Sequence, residues 1–298
     1  MDSSSRCNKS NLDIHFDING TVIAVDFAGE RTVLEEQYLQ DFLSKKISAI
    51  WETGQKEMTY MEYLKTKYPA RELLRKNLKS ELYHMFEKMK IINHTDQEKY
   101  KNVYEIALEK LKILREENRH VFPSVFRLLD QLQQSHIQAT IFLRTFGSEG
   151  PLVAEEISQK FPDIQFQKPI DLGKEKIKLP IHSLQDNGHQ IIIDDFKQWN
   201  ENGRKKEYGK PFPVYEESDK ISLFFDDNII TDENDCEINN IVNPYNPNTE
   251  NSVAVGSLIG RCIFRVDTLE AILNDEYFVD IFKKALFSNS EILEQMAS

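Results

Sequence analysis

The chain has 298 residues, a formal net charge of -12, and 40% hydrophobic and 10% aromatic residues. That is enough apolar material for a packed core, which excludes global disorder, and the acidic balance argues against a binder of nucleic-acid phosphates. Three scattered cysteines, Cys7, Cys236 and Cys262, exclude a disulfide framework or a Cys-rich zinc site, and no apolar run approaches a membrane span of roughly 20 residues. The polar opening MDSSSRCNKS lacks the apolar stretch of a secretory signal, so a cytoplasmic protein with no membrane or nucleic-acid partner is expected.

In chain order, Leu12 to Phe16 reads as a short strand running into Asp17, followed by a β-branched apolar stretch from Thr21 to Phe27. From Thr32 to Asn118 the pattern is helical, with no convincing strand. Three stripes at helical spacing stand out: Val33, Leu34, Tyr38, Phe42, Ile47 and Ile50; Leu73 to Met89, preceded by Pro69; and Tyr100 to Leu114. The pattern then alternates. Val125–Leu132 reads as helix, Ile137–Leu143 as buried strand, and Leu152–Phe161 as a helix opened by Pro151. Ile191–Ile193, Ile221–Phe225 and Cys262–Val266 are strand candidates, and Leu269–Leu273 and Phe278–Leu286 are helical. The stretch Asn240–Ser252, rich in asparagine and carrying Pro244 and Pro247, reads as a surface loop. Strands alternating with helices predict an α/β core with a mostly parallel sheet, residues 1–30 and 118–298, interrupted by a helical insertion, residues 31–117.

Three strand ends are chemically loaded, and ligands of open α/β sheets bind at the carboxyl ends of strands. They are Asp17-Ile18-Asn19-Gly20-Thr21, Arg144-Thr145-Phe146-Gly147 and Asp226-Asp227-Asn228. Each alone reads equally well as a strand stopping at a turn or a helix cap. Adjacent acids ending an apolar run repel each other unless a cation or hydrogen-bond donors lie between them.

Together and in this order, the three resemble the haloacid dehalogenase-like (HAD) hydrolase superfamily, most of whose members are magnesium-dependent phosphatases. Asp17, Asn19 and Thr21 match its first motif, Asp-x-Asp-x-Thr; Thr145 matches the second; Asp226 and Asp227 match the paired acids of the fourth. The resemblance covers about residues 11–27 and 120–298. It implies a Rossmann-like core with the helical insertion as a cap over a small phosphorylated substrate, and it leaves the cap open to a protein partner. It further implies Asp17 as nucleophile, and magnesium held by Asp17, the Asn19 carbonyl and Asp226 with Asp227 close by. Thr145 would bind the phosphoryl group, with Thr21 nearby, and a lysine would offset the charge. Lys210 is the best candidate for that lysine, with Lys205 and Lys206 as alternatives.

A second acidic strand end, Asp194-Asp195, competes for the fourth-motif role with Lys168 or Lys174 as its lysine. Asp226 and Asp227 are preferred because their strand is more apolar, whereas the Asp194 stretch reads as an exposed hairpin. Arg144 is read either as a clamp on a substrate anion or as the partner of a neighbouring acid. His15 is expected to pack on the face away from Asp17. The basic residues Lys65, Lys67, Arg71, Arg75, Lys76 and Lys79 read as a solvated face.

One departure from the superfamily pattern bears on mechanism. The second acid of the first motif, the general acid and base of the phosphatases, is here Asn19, and an amide cannot carry that proton. The expectation is a phosphatase-type hydrolase slowed at that step. The alternatives are a catalytically silent binder of a phosphorylated ligand or protein, and a phosphonatase- or dehalogenase-type hydrolase.

Overall fold

The structure, a computed structural model, describes residues 11–24, 35–175, 188–215 and 220–288. It divides into two compact units, residues 1–30 with 120–298, and residues 31–119.

In the first unit β1 (Leu12–Asp17) is buried from end to end. Its sequence alternates apolar and polar residues, and the polar ones, Asp13, His15 and Asp17, are buried along with Leu12, Ile14 and Phe16, so the strand is covered on both faces. The chain turns at once: Ile18 O accepts from the N–H groups of Val22 and Ile23, at 2.9 and 3.0 Å. The β-branched apolar stretch that follows Asp17 is a turn with isolated bridges as far as Ala24, and residues 25–27 lie outside the described ones.

The second unit holds α1 (Glu35–Lys46), a two-residue antiparallel pair β2 (Ser48–Ala49) and β3 (Met58–Thr59), then α2 (Tyr60–Lys67), α3 (Arg71–Tyr83), α4 (Met85–Ile91) and α5 (Gln97–Glu116). The small pair corrects the all-helical expectation. It is fastened by Trp51, whose Nε1 donates to Met58 O across 2.8 Å, and it runs into a capping box in which Thr59 and Glu62 hold each other's backbone N–H. The stripe on α1 turns inward at Leu39 and Leu43, one position on from Tyr38 and Phe42, and Ile50 is exposed. The second stripe is cut at His84 into α3 and α4, with Leu82, Met85 and Met89 buried but Leu73 exposed. Ala107, Leu111 and Leu114 bury the face of α5. The basic residues of α2 and α3 are exposed, and Lys67 pairs with Glu81 at 2.7 Å.

The first unit resumes with α6 (Pro123–Gln134), β4 (Ala139–Thr145), α7 (Gly150–Lys160), β5 (Ile170–Asp171), α8 (Leu172–Glu175), β6 (Gln190–Ile193) and α9 (Phe196–Glu201). β7 (Lys210–Pro213), β8 (Ile221–Asp226), β9 (Val242–Tyr245), β10 (Ile263–Arg265), α10 (Thr268–Leu273) and α11 (Tyr277–Ser288) complete it. Six strands form one sheet in the order β10-β8-β1-β4-β6-β5, and each pairing in it is parallel. From β1 the chain goes to β4, on to β5 at the edge and back to β6 between them, then crosses to lay β8 on the other side of β1. That reversal makes a crevice at the carboxyl ends of β1 and β8, where ligands of such sheets bind.

One side of the sheet packs on helices: Phe16 and Phe225 meet Phe278 of α11 edge to face at 5.5 Å each, and α11 packs on α6. The other side packs on the separate parallel pair β7–β9, where Phe212 meets Phe224 at 5.2 Å and His15 at 5.3 Å. β9 corrects the loop expectation for Asn240–Ser252. Asn240 and Val242 are fully buried, and the Asn240 amide donates to Ile230 O and Cys236 O, so the asparagine is a satisfied interior residue. β6 corrects the exposed-hairpin expectation. It lies beside β4 inside the sheet, with Ile191 and Ile192 buried.

Candidate active site

Strand pairing alone brings the Asp17, Thr145 and Asp226 strand ends together. Phe16 is in register with Phe225 on β8, and Asp17 is in register with Arg144 on β4, so Asp17, Thr145 and Asp226 end three adjacent strands at one level. Asp17, Asp226 and Asp227 can each offer a carboxylate oxygen within 4.8 Å of the others'.

Lys210 closes this group from β7. Its fully buried ammonium donates to Asp226 Oδ2 at 2.8 Å and to Asp17 Oδ1 at short range. Lys206 pairs instead with Glu237, Lys205 is exposed, and Lys174 pairs with Asp171. Burial alone would pull the Lys210 pKa down, but Asp17, Asp226 and Asp194 hold it above lysine's ordinary value. The Asp17 carboxyl is pushed well above the usual carboxylate range, by burial first and by Asp226 next, while Lys210 pulls it back. Two carboxylates on one ammonium, with the Asp227 carboxylate close by, leave an excess of negative charge. An all-oxygen donor set of that charge suits a hard divalent cation.

The loop after β1 is shaped around Asp227. Gly20 has φ +82°, and a Cβ there would lie 2.7 Å from the Asp227 carboxylate. That backbone state and that approach both call for glycine. Thr21 is fully buried, and its Oγ1 accepts the Asp227 N–H at 3.1 Å. Thr21 therefore anchors the loop that carries Asp227. Asn228 adds two bonds, from its N–H to Asp226 Oδ1 and from its amide to Asp227 Oδ1, each 2.8 Å. The Oδ1 of Asn19 is buried and accepts no hydrogen bond.

Arg144 is engaged on three sides by the protein. It is fully buried, and its guanidinium forks onto Asp194, Nε to Oδ2 at 3.1 Å and Nη2 to Oδ1 at 2.5 Å. Its Nη1 donates to Pro211 O at 3.0 Å and lies 3.3 Å from His15 Nδ1. Of the two expectations for Arg144, the structure shows the pairing with a neighbouring acid. The rival acidic pair is thereby accounted for, since Asp194 holds Arg144 and Asp195 caps α9 by accepting from Gln198 N. His15 is packed as expected, stacked on Phe142 at 4.3 Å, but on the same side of β1 as Asp17, because residues two apart in a strand share a face.

Thr145 is buried at the end of β4. Its hydroxyl donates to Glu149 Oε2 at 3.1 Å and accepts from the Gly147 N–H at 2.8 Å. Glu149 is 2% exposed, and its Oε1 is buried without a hydrogen bond. Sequence reasoning missed this residue, because an acid in Gly-Ser-Glu-Gly-Pro reads as a solvated helix start. The Gly-Pro that begins α7 was its sole signal. A Cβ on Gly150 would lie 2.3 Å from Ile191 Cγ2, so the helix presses closely on the sheet there and Glu149 is carried inside.

Fold and site thus define a parallel α/β protein with a carboxylate–lysine centre at its topological switch point. A scan against protein-family models, a search of curated proteins and a search of solved structures each found no match. Among the described residues, no helix is long and apolar enough to cross a membrane.

Proposed function

We propose that the chain is a HAD-like, magnesium-dependent phosphatase-type hydrolase. It acts on small phosphorylated substrates through an aspartyl-phosphate on Asp17, with residues 31–119 as its cap. The observation that carries this reading is the Lys210 ammonium bridging Asp17 and Asp226 at the switch point. A structural ion pair needs one carboxylate. A lysine shared by two, with a third carboxylate beside them, is a centre built to hold a nucleophile and a cation together.

The carboxylates of Asp17, Asp226 and Asp227, with the Asn19 backbone carbonyl, would hold the magnesium ion. When bound, it supplies charge neutralisation for the carboxylates and the phosphoryl oxygens. An Asp17 carboxylate oxygen attacks phosphorus and the ester P–O bond breaks, with the electron pair leaving on the alcohol oxygen. Lys210 orients Asp17 for that attack and offsets the charge that builds on the transferred group. The Thr145 hydroxyl hydrogen swings from Glu149 to a phosphoryl oxygen. Water then attacks phosphorus, returning Asp17 and releasing phosphate.

Asn19 alters both halves of this cycle. It can neither protonate the leaving group nor activate the water, so good leaving groups are favoured and the phosphoenzyme is long-lived. The buried, unbonded Asn19 Oδ1 also supports a second reading, a catalytically silent binder of a phosphorylated ligand. Incubation with p-nitrophenyl phosphate and magnesium, followed by mass spectrometry of the peptide containing Asp17, separates the two. A phosphorylated Asp17 supports the enzyme, and retention of intact ligand without it supports the binder.

A further inference from the structure

Lys210 has to reach two carboxylates of the main sheet, yet β7 is not hydrogen-bonded into that sheet. Its ladder runs to β9, beginning with Lys210 N–H to Ile241 O at 2.6 Å. What fixes β7 over the ends of β1 and β8 is therefore side-chain contact. Phe212 supplies an apolar contact, packing against Phe224 and His15. Apolar packing resists separation but fixes lateral position poorly, because it is not directional.

Arg144 supplies a directional link. It leaves β4 at the residue in register with Asp17, and its backbone O accepts from Ile18 N–H at 2.9 Å. Its guanidinium then donates to Pro211 O, in the peptide next to Lys210. The fork onto Asp194 of the β6 end fixes the plane of that guanidinium, and Phe224 lies under it with the ring centroid 5.7 Å away. A planar guanidinium held bidentately has little freedom left, so its remaining Nη1–H is aimed. A fully buried ion pair is a poor source of stability, since desolvation of both charges offsets their attraction. Its presence at a strand end that otherwise reads Ile-Phe-Leu points to a positional role.

We propose that Arg144 and Asp194 are positioning residues that tether the β7 strand so that Lys210 reaches Asp17 and Asp226 together. The proposal rests on the phosphoryl-transfer reading for its kinetic consequence, but its structural consequence stands alone. Neither residue touches the reacting atoms. Arg144 acts through Pro211 O, and Asp194 acts through Arg144.

The test is the double variant Arg144→Met with Asp194→Leu, which removes both buried charges together and so avoids stranding one of them. Crystal structures of the native and double-variant proteins report the placement of Lys210. Rapid-mixing measurements with p-nitrophenyl phosphate and magnesium report the burst of Asp17 phosphorylation. The expected result is a melting temperature close to native, with Lys210 Nζ no longer bonded to both carboxylates. The burst rate constant should fall by on the order of 10²-fold, the cost of a misplacement of about 1 Å. Arg144→Lys, which retains the charge but lacks the planar fork, should recover part of that rate. Lys210 found in its native place, with an unchanged burst, would overturn the tether. A displaced Lys210 in the variant, with no burst in the native protein, would leave the tether standing and sink the phosphoryl-transfer reading instead.

Discussion

Lys210 Nζ donates to Asp226 Oδ2 across 2.8 Å, with both side chains fully buried, while the same ammonium bonds Asp17. The two acids end neighbouring parallel strands, and the lysine they share comes from β7, outside that sheet. Lys210→Met removes that charge and leaves two buried carboxylates facing each other. Breaking one side of a buried pair costs about 3–5 kcal/mol. Urea denaturation of Lys210→Met should therefore show a loss of that size without magnesium, and a smaller loss with it. A loss that magnesium leaves unchanged would mean that the carboxylates do not share a cation.

Magnesium should stabilise the native protein by mass action, about 2.7 kcal/mol at a hundred times its dissociation constant. Asp226→Asn keeps the shape of the side chain and the oxygen that receives the Asn228 N–H, but lacks the charge. Thermal melts of this variant should be nearly independent of magnesium. An undiminished magnesium shift would place the cation elsewhere.

Gly20→Ala puts a side chain at φ +82° and a Cβ 2.7 Å from the Asp227 carboxyl carbon. The backbone strain costs about 1–3 kcal/mol, and Asp227 must move away. Calorimetric titration should show weaker magnesium binding as well as lower stability. Loss of stability with native magnesium affinity would remove Asp227 from the metal's surroundings.

His189 Nδ1 accepts the Ile141 N–H at 3.0 Å, and burial holds the ring pKa below its ordinary 6.5. The unfolded chain then takes up a proton in a range of pH where the folded chain does not. Stability therefore falls as pH drops below about 6.5, by at most about 1.4 kcal/mol per pH unit from this residue. His15, lowered by burial first and by Arg144 next, acts with the same sign. His189→Gln should reduce the slope of unfolding free energy between about pH 5 and 6.5. An unchanged slope would show that His189 titrates alike in both states.

Much of this architecture is legible in the sequence, because apolar runs such as Leu223-Phe224-Phe225 can be satisfied only inside a doubly covered sheet. The acids Asp226 and Asp227 are legible for the same reason, as charges that end such a run, whereas Asp17 ends a strand, Leu-Asp-Ile-His-Phe, that alternates apolar and polar residues. β9 was hidden because Asn240, Asn243 and Pro244 are loop formers by propensity. Tertiary hydrogen bonds, with Asn240 held by Ile230 O and Cys236 O, outweigh that preference. Arg144 and Asp194 lie 50 residues apart, and nothing local tells which acid an arginine will meet. Glu149 was hidden because its burial follows from how closely Gly150 sits on Ile191, a property of packing and not of spacing.

The central claim is that Asp17 is a nucleophile whose phosphorylated form outlives the first step because position 19 carries an amide. Its most direct measurement is pre-steady-state release of p-nitrophenol from p-nitrophenyl phosphate with magnesium, on the native protein, Asn19→Asp and Asp17→Asn. The native protein should release a burst of about one equivalent and then turn over slowly. The steady-state rate should rise by something like 10² in Asn19→Asp, and Asp17→Asn should show neither burst nor turnover. Brisk native turnover without a burst, unchanged by Asn19→Asp or surviving Asp17→Asn, would contradict the claim.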